Sequence, residues 1–205
     1  MATNVKDPQA TDFDRQVREL RNTIAFHFSN QKSFSLLITS AGEQEGKSAM
    51  ALALAKSFQT LQKQVLLIDG NFSETRQDST ADVAEHNLFD LILSDDDLDA
   101  VTKVAIKQGN GISYLPAGKA TTDSAIVLGN PRFAQLLEKA KANYDVVIVD
   151  GPAAFGESDV QFIGRVTDTT LFVVPQRQAH QHQLTDAVDA LREVGADVLG
   201  GVLTV

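Results

Sequence analysis

A three-layer α/β domain, with a mostly parallel central sheet covered by helices on both faces, is the architecture this sequence predicts. Three observations carry that reading. Strand-like and helix-like segments alternate along the chain. The strand-like segments are unbroken aliphatic runs, such as Val65-Leu-Leu-Ile68 and Val146-Val-Ile-Val149. A strand reads that way when both of its faces are buried, as in a parallel sheet. Hydrophobic residues make up 43% of the 205, with no Trp and only two Tyr, which fits one aliphatic core.

The elements follow in order. Residues 1–10 are polar, include Pro8 and are expected to form a flexible N-terminus, leaving 11–205 as a single domain. Thr11 or Asp12 can cap a helix reaching about Phe28, with Phe13, Val17, Leu20, Ile24 and Phe28 on one face. That stripe needs a partner surface, either within this domain or on a neighbouring subunit. Strands are expected at about 35–39, 65–69, 112–115, 146–150, 170–174 and 198–203, and helices near 48–62, 87–93, 131–143, 158–165 and 181–194. Residues 71–85 are polar and acidic without periodicity and read as a mobile loop.

Charge and composition exclude several classes. The net charge of −9 argues against a sequence-independent nucleic-acid surface, and Arg15, Arg18 and Arg21 form the one basic cluster. Arg18 and Arg21, on adjacent turns of one helix face, read equally as a solvated face or a subunit contact. With no Cys there is no disulfide, thiolate zinc site or cysteine nucleophile. No apolar run approaches the roughly 20 residues of a membrane-spanning helix, and the N-terminus is not signal-like, so a cytoplasmic location is expected. The acids Asp95, Asp96, Asp97 and Asp99 read as a helix start, and Arg177 as a solvated loop residue. His27, His180 and His182 lack a third metal ligand at suitable spacing.

The segment Ala41-Gly-Glu-Gln-Glu-Gly46-Lys47-Ser48 carries the chemistry. It follows the aliphatic strand Ser35-Leu-Leu-Ile-Thr39 and precedes an Ala- and Leu-rich helix, which is the setting of a phosphate-binding P-loop. Backbone N–H groups and the dipole at the helix start attract phosphate oxygens. In that setting Gly42, Glu43, Gln44, Glu45, Gly46, Lys47, Ser48 and Ala49 contact the nucleotide, Lys47 reaches the β- and γ-phosphates, and the Ser48 hydroxyl ligates Mg²⁺. Ala41 stands where the pattern asks for Gly, a small-for-small exchange. The fold class is therefore that of a P-loop NTPase.

Two further strands end in an acid at the edge where ligands of parallel sheets gather, at Asp69 and Asp150. A carboxylate closing an apolar strand needs a cationic or hydrogen-bonding partner. Asp150 is expected in the Mg²⁺ shell opposite Ser48, and Asp69 is expected to orient or deprotonate the nucleophile. The dipeptide Gly151-Pro152 then reads as a rigid turn leading away.

Over about residues 15–203 the chain resembles the bacterial tyrosine autokinases that regulate capsule and exopolysaccharide synthesis. The motifs are Arg18-x-x-Arg21-x-x-Ile24, Ile38-Thr-Ser-Ala-Gly42 leading into Glu45-Gly-Lys-Ser48, and Val65-Leu-Leu-Ile-Asp69. Tyr114-Leu-Pro-Ala-Gly118, Asn130-Pro-Arg-Phe133, Tyr144-Asp-Val-Val-Ile-Val-Asp150-Gly-Pro152 and Val198-Leu-Gly-Gly-Val-Leu203 extend the match. The resemblance implies ATP and Mg²⁺ as cofactors, with transfer to tyrosines in the C-terminal tail of a neighbouring subunit. It also implies homo-oligomers and a transmembrane polysaccharide co-polymerase partner at the inner membrane face. Partition-type ATPases carry a signature Lys where this chain has Gly42.

Departures cluster near the chemistry. The family's Asp-x-Asp-x-Arg appears as Asp69-Gly-Asn71-Phe-Ser73, so general-base capacity rests on Asp69 alone. Arg15, with Asp14 beside it, replaces the Glu of the oligomerisation helix. Thr204 replaces an Asn near the adenine, and residues 123–128 lose the acid of Asn-Pro-x-Glu-Leu-Leu. Tyr114 and Tyr144 flank predicted strands and read as structural. The alternatives are a catalytically degenerate nucleotide-binding scaffold of a polysaccharide assembly complex, or a partition-type ATPase.

Overall fold

The computed structural model describes residues 8–72, 87–95, 97–98, 105–108, 112–118, 121, 123–155, 158–176 and 181–204. A seven-stranded sheet runs through its centre in the order β3-β4-β2-β5-β1-β6-β7. These strands are β1 Phe34–Ser40, β2 Val65–Asp69, β3 Ile106–Gln108, β4 Ile112–Leu115, β5 Val146–Ala153, β6 Thr169–Pro175 and β7 Val198–Thr204. Every described pairing is parallel except β3 with β4. The helices are α1 Pro8–His27, α2 Lys47–Gln59, α3 Leu88–Leu93, α4 Ala125–Leu128, α5 Pro131–Asn143, α6 Asp159–Val166 and α7 Gln181–Glu193.

Strand side chains alternate between faces with period two, so each aliphatic run feeds two cores. Leu37, Leu66, Ile68, Val147, Val149 and Phe172 face α3, α5, α6 and α7. Leu36, Ile38, Val65, Leu67, Ile148 and Leu171 face α1 and α2. This is the three-layer arrangement expected. The stripe on α1 finds its partner inside the domain: Val17, Ile24 and Phe28 are buried in the same core as Met50, Leu54 and Phe58 of α2. Phe28 stacks on Phe34 at a centroid distance of 4.3 Å, and Phe34 meets Phe58 edge-on at 5.8 Å, joining the end of α1 to the start of β1 and the end of α2. Phe13 stays largely outside.

Two expectations need correction, and two elements were not expected. Helix α1 begins at Pro8, ahead of the Thr11 or Asp12 cap and inside the segment read as flexible, because proline suits the first helical turn, where no N–H partner is needed. The three-residue β3 is too short for periodicity to reveal, and α4 spans a single turn. Gly151-Pro152 is not a turn: β5 continues through it to Ala153. Opposite it, the register shifts from Ile38↔Asp150 to Ser40↔Ala153, so β5 carries one extra residue there, a β-bulge. A Cβ at Gly151 would lie 2.5 Å from Leu37 Cδ1, which is why glycine stands at that point. Asp96, Asp99, Ser73, most of the 71–85 loop, Arg177 and His180 lie outside the described residues.

At the opposite edge of the sheet, Asp168 accepts hydrogen bonds from the Ser35 N–H at 2.6 Å and Oγ at 2.8 Å, and from Lys141 Nζ at 3.1 Å. Burial opposes the charge on Lys141, yet Glu138 and Asp168 together raise its pKa. This network pins the start of β1 beside β6, far from the loop that follows the strand's other end.

Candidate functional site

Strands β2, β5 and β1 are consecutive neighbours, and their carboxyl ends share one edge. Asp69 and Asp150 are register partners at that edge, so their side chains leave the same face of adjacent strands. That face carries Leu67 and Ile148, and it is the face covered by α2. Both acids are almost fully buried. The loop after β1 crosses the same edge and enters α2 at Lys47. The two acids and the Gly-Lys-Ser turn, more than 20 residues apart in sequence, thus converge.

Loop geometry follows from local requirements. Gly46 caps α2 at φ +86°, a conformation glycine adopts without strain, and a Cβ there would meet open space. No side chain caps the helix, so its first-turn N–H groups remain available to an anion. Gln44 also adopts positive φ, at +58°, a position less comfortable for a residue with a Cβ. Ser40 Oγ donates to the Gly42 carbonyl at 2.7 Å, and the Ala154 and Phe155 N–H groups donate to the carbonyls of Ser40 and Ala41 at 2.8 and 2.9 Å. Ala41 is buried, its methyl accommodated where the common pattern has glycine.

A cavity of about 380 Å³ opens over this turn, lined by Glu43, Gln44, Gly46, Lys47, Ser48 and Ala49, and by Asn71. Six of the eight loop residues expected to contact a nucleotide therefore face one cavity. Gly42 and Glu45 do not line it. The Glu45 carboxyl folds over Gly42, its Oε1 3.0 Å from where a Cβ would stand, and its Oε2 is buried without a hydrogen-bond partner among the described residues. Asp69 and Asp150 do not line the cavity either; they sit at the adjoining strand ends, two residues from Asn71 in the case of Asp69.

The electrostatics centre on Lys47. Its ammonium is buried and donates to Glu43 Oε2 at 2.9 Å, whereas the Glu43 side chain is 57% exposed. A carboxylate thus occupies the position of an anion on the loop lysine. Asp69 Oδ1 accepts from the Asn71 N–H at 3.0 Å, and Oδ2 accepts from the Tyr114 hydroxyl at 3.2 Å. The contact with Tyr114, read from sequence as structural, was missed because it depends on the pairing of β4 with β2. Donor chemistry, cavity size and the open cradle at Gly46 fit a nucleoside triphosphate with its divalent metal.

The basic cluster on α1 is dispersed. Arg15 pairs with Asp12 and with Glu19 at 3.1 Å, Arg18 is exposed, and Arg21 is buried. Arg21 donates to the Ser57 carbonyl at 3.1 Å and to Thr60 Oγ1 at 3.2 Å, tying α1 to the end of α2. Thr204 ends β7, its carbonyl accepting from Gln176. No cluster of three or more His, Cys, Asp or Glu that could hold a metal occurs among the described residues, and no described helix is long and apolar enough to cross a membrane.

Fold and site together define a P-loop NTPase-type domain. Residues 36–193 match the family described as cellulose biosynthesis protein BcsQ, and the chain belongs to that family. It is also similar to bacterial tyrosine-protein kinases. It is 28% identical over 188 residues to tyrosine-protein kinase etk of Escherichia coli K12, covering 91% of this chain and 26% of that protein. The chain therefore spans about a quarter of the length of that relative. Tyrosine-protein kinase YwqD of Bacillus subtilis is 28% identical over 190 residues, covering 92% of this chain and 79% of the relative. The solved kinase domain of Escherichia coli tyrosine kinase ETK superposes with a TM-score of 0.83 at 26% identity, covering 93% of this chain and 74% of that one. The expected resemblance is borne out.

Proposed function

We propose that this chain binds Mg-ATP and acts as a phosphoryl-transfer domain of the tyrosine-kinase type in bacterial polysaccharide assembly. The observation that carries the reading is the convergence of Lys47, Ser48, Asp69 and Asp150 at one sheet edge, with the loop cavity above them. The family's name points to cellulose as the polysaccharide, and the kinase relatives point to tyrosine as the acceptor. The same similarity supports assembly with further copies and with a transmembrane polysaccharide co-polymerase that would hold the domain at the inner membrane face.

Bound Mg-ATP would supply the transferable γ-phosphoryl group, with the metal neutralising its charge. The chain's own residues do the rest. N–H groups at the start of α2 hold phosphate oxygens, and the Lys47 ammonium exchanges Glu43 for a phosphate, where it offsets charge that develops during transfer. Ser48 and Asp150 would hold the metal, and Asp69 orients the incoming hydroxyl or accepts its proton.

One observation favours a second reading, a nucleotide-binding scaffold without catalysis. Asn71, which can accept no proton, stands on the cavity wall where the kinase resemblance places an acid. Titration with ATP and Mg²⁺, followed by incubation with γ-labelled ATP and a Glu–Tyr copolymer, tests both. The kinase reading expects label on tyrosine, and Lys47→Met is expected to weaken ATP binding at least about tenfold by removing a charge-assisted contact. Tight binding without labelled tyrosine selects the scaffold. Absence of any nucleotide binding overturns both.

A further inference from the structure

Tyr114 lies on β4, opposite Leu67 of β2. Its ring packs against the core on the α1/α2 face. Asp69 is two residues further along β2, hence on the same face, and a diagonal neighbour of this kind is within reach of an aromatic side chain. The Tyr114 hydroxyl spans that diagonal and donates to Asp69 Oδ2 at 3.2 Å. Oδ1 accepts from the Asn71 N–H at 3.0 Å. Each oxygen of the carboxylate therefore has a donor from a different direction, one from the neighbouring strand and one from the chain just beyond β2. Two such bonds fix the carboxylate plane as well as its position. On its other side, Asp69 is in register with Asp150, so its orientation also sets the distance between two buried acids.

We propose that Tyr114 is a positioning residue of the nucleotide site, its hydroxyl holding the Asp69 carboxylate in the orientation that serves the metal-bound state. This rests on the reading of the site as one for Mg-ATP. A hydroxyl that merely stabilised the sheet would act equally on the metal-bound and metal-free complexes. A hydroxyl that holds Asp69 in place beside Asp150, the acid proposed to hold the metal, acts on the first only.

The test is Tyr114→Phe, which keeps the ring and its packing, with Tyr144→Phe as a control for loss of a hydroxyl elsewhere. ATP is titrated calorimetrically into each protein, once with Mg²⁺ and once with EDTA, and thermal midpoints are recorded. Tyr114→Phe is expected to bind Mg-ATP about three- to tenfold more weakly than wild type, the net effect of one ordinary hydrogen bond. Its affinity for metal-free ATP is expected to match wild type, and its thermal midpoint to fall by no more than the few degrees that one hydrogen bond is worth. Equal Mg-ATP affinities in variant and wild type overturn the proposal, as does an equal loss in both buffers. If wild type binds no ATP, or binds it identically with Mg²⁺ and EDTA, the underlying Mg-ATP reading falls first, a result visible without any variant.

Discussion

Replacing Glu43 by Gln is expected to increase the affinity for ATP. In the structure the buried Lys47 ammonium is held by Glu43 at 2.9 Å, and in the proposed complex phosphate oxygens would compete for that same ammonium. At this separation an effective dielectric of about 20 gives a gross attraction of about 6 kcal/mol. Most of it is offset. The Glu43 side chain is 57% exposed, so water screens the pair, and holding it in one rotamer costs further entropy. A net value of about 1 kcal/mol remains, and a ligand that displaces Glu43 must overcome it. Removing the competitor should therefore lower the Kd for ATP about fivefold, within a range of roughly three to ten. The same change leaves Lys47 without its carboxylate in the ligand-free protein. The thermal midpoint without nucleotide should fall by about 2–4 °C, and saturating ATP should erase the difference. Isothermal titration and differential scanning calorimetry read the two effects. Unchanged or weaker ATP binding in Glu43→Gln would show that Glu43 does not compete for the phosphate position, and that the loop lysine serves another partner.

Two further outcomes can be checked by unfolding. Arg21→Ala should lower stability by about 2–3 kcal/mol, since it removes bonds to the Ser57 carbonyl and Thr60 Oγ1 together with a buried aliphatic stem. An unchanged melting temperature combined with a changed oligomeric state would instead place Arg21 at a subunit contact. Burial alone would raise the Asp145 pKa, but the Gln64 N–H at 2.8 Å and Lys63 Nζ at 3.0 Å outweigh it and hold the carboxyl low. A depressed acid stabilises the fold above its unfolded pKa of about 4 and loses that contribution as pH falls through the folded value. Asp145→Asn should therefore cost about 0.5 kcal/mol at pH 7, small because the group is partly exposed, and nothing once both proteins are fully protonated in acid. Urea unfolding at pH 7 and near pH 3 measures the difference; a deficit that grows in acid would reverse the sign of the argument.

The parts of the site that were legible in the sequence are those fixed by local pattern. An aliphatic run ending in Asp announces a buried strand and an acid at its end, so Asp69 and Asp150 could be placed without knowing which strands pair. The Gly-Lys-Ser turn was legible for the same reason. What depended on register was not. The Tyr114–Asp69 bond requires β4 beside β2 with Leu67 opposite Tyr114, and no short-range pattern encodes that alignment. Arg21 is a different kind of miss. The spacing 17, 21, 24, 28 places it on the buried stripe between Val17 and Ile24, at positions i+4 and i+7. Reading residues by polarity set it on a solvated face or at a subunit contact, although a long aliphatic stem allows arginine to lie along a core edge while its head reaches carbonyls.

The bulge at Gly151 links the separate components of the site. Had the chain turned away after Asp150, as the Gly-Pro pair implied, that acid would stand at a free strand end. Because β5 continues to Ala153, the next N–H groups, of Ala154 and Phe155, reach the carbonyls of Ser40 and Ala41 at the root of the phosphate loop. The extra residue lets this happen: it absorbs the offset between β5 and β1, while Thr39 Oγ1 donates to the Pro152 carbonyl at 2.7 Å across the irregularity. Proline has no N–H to lose from the ladder at such a point, and glycine tolerates the close approach of Leu37. The strand that presents Asp150 is thus also the strand that anchors the loop. Displacement of either would be felt by the other, and two groups proposed to share one metal are held at a distance set by the sheet.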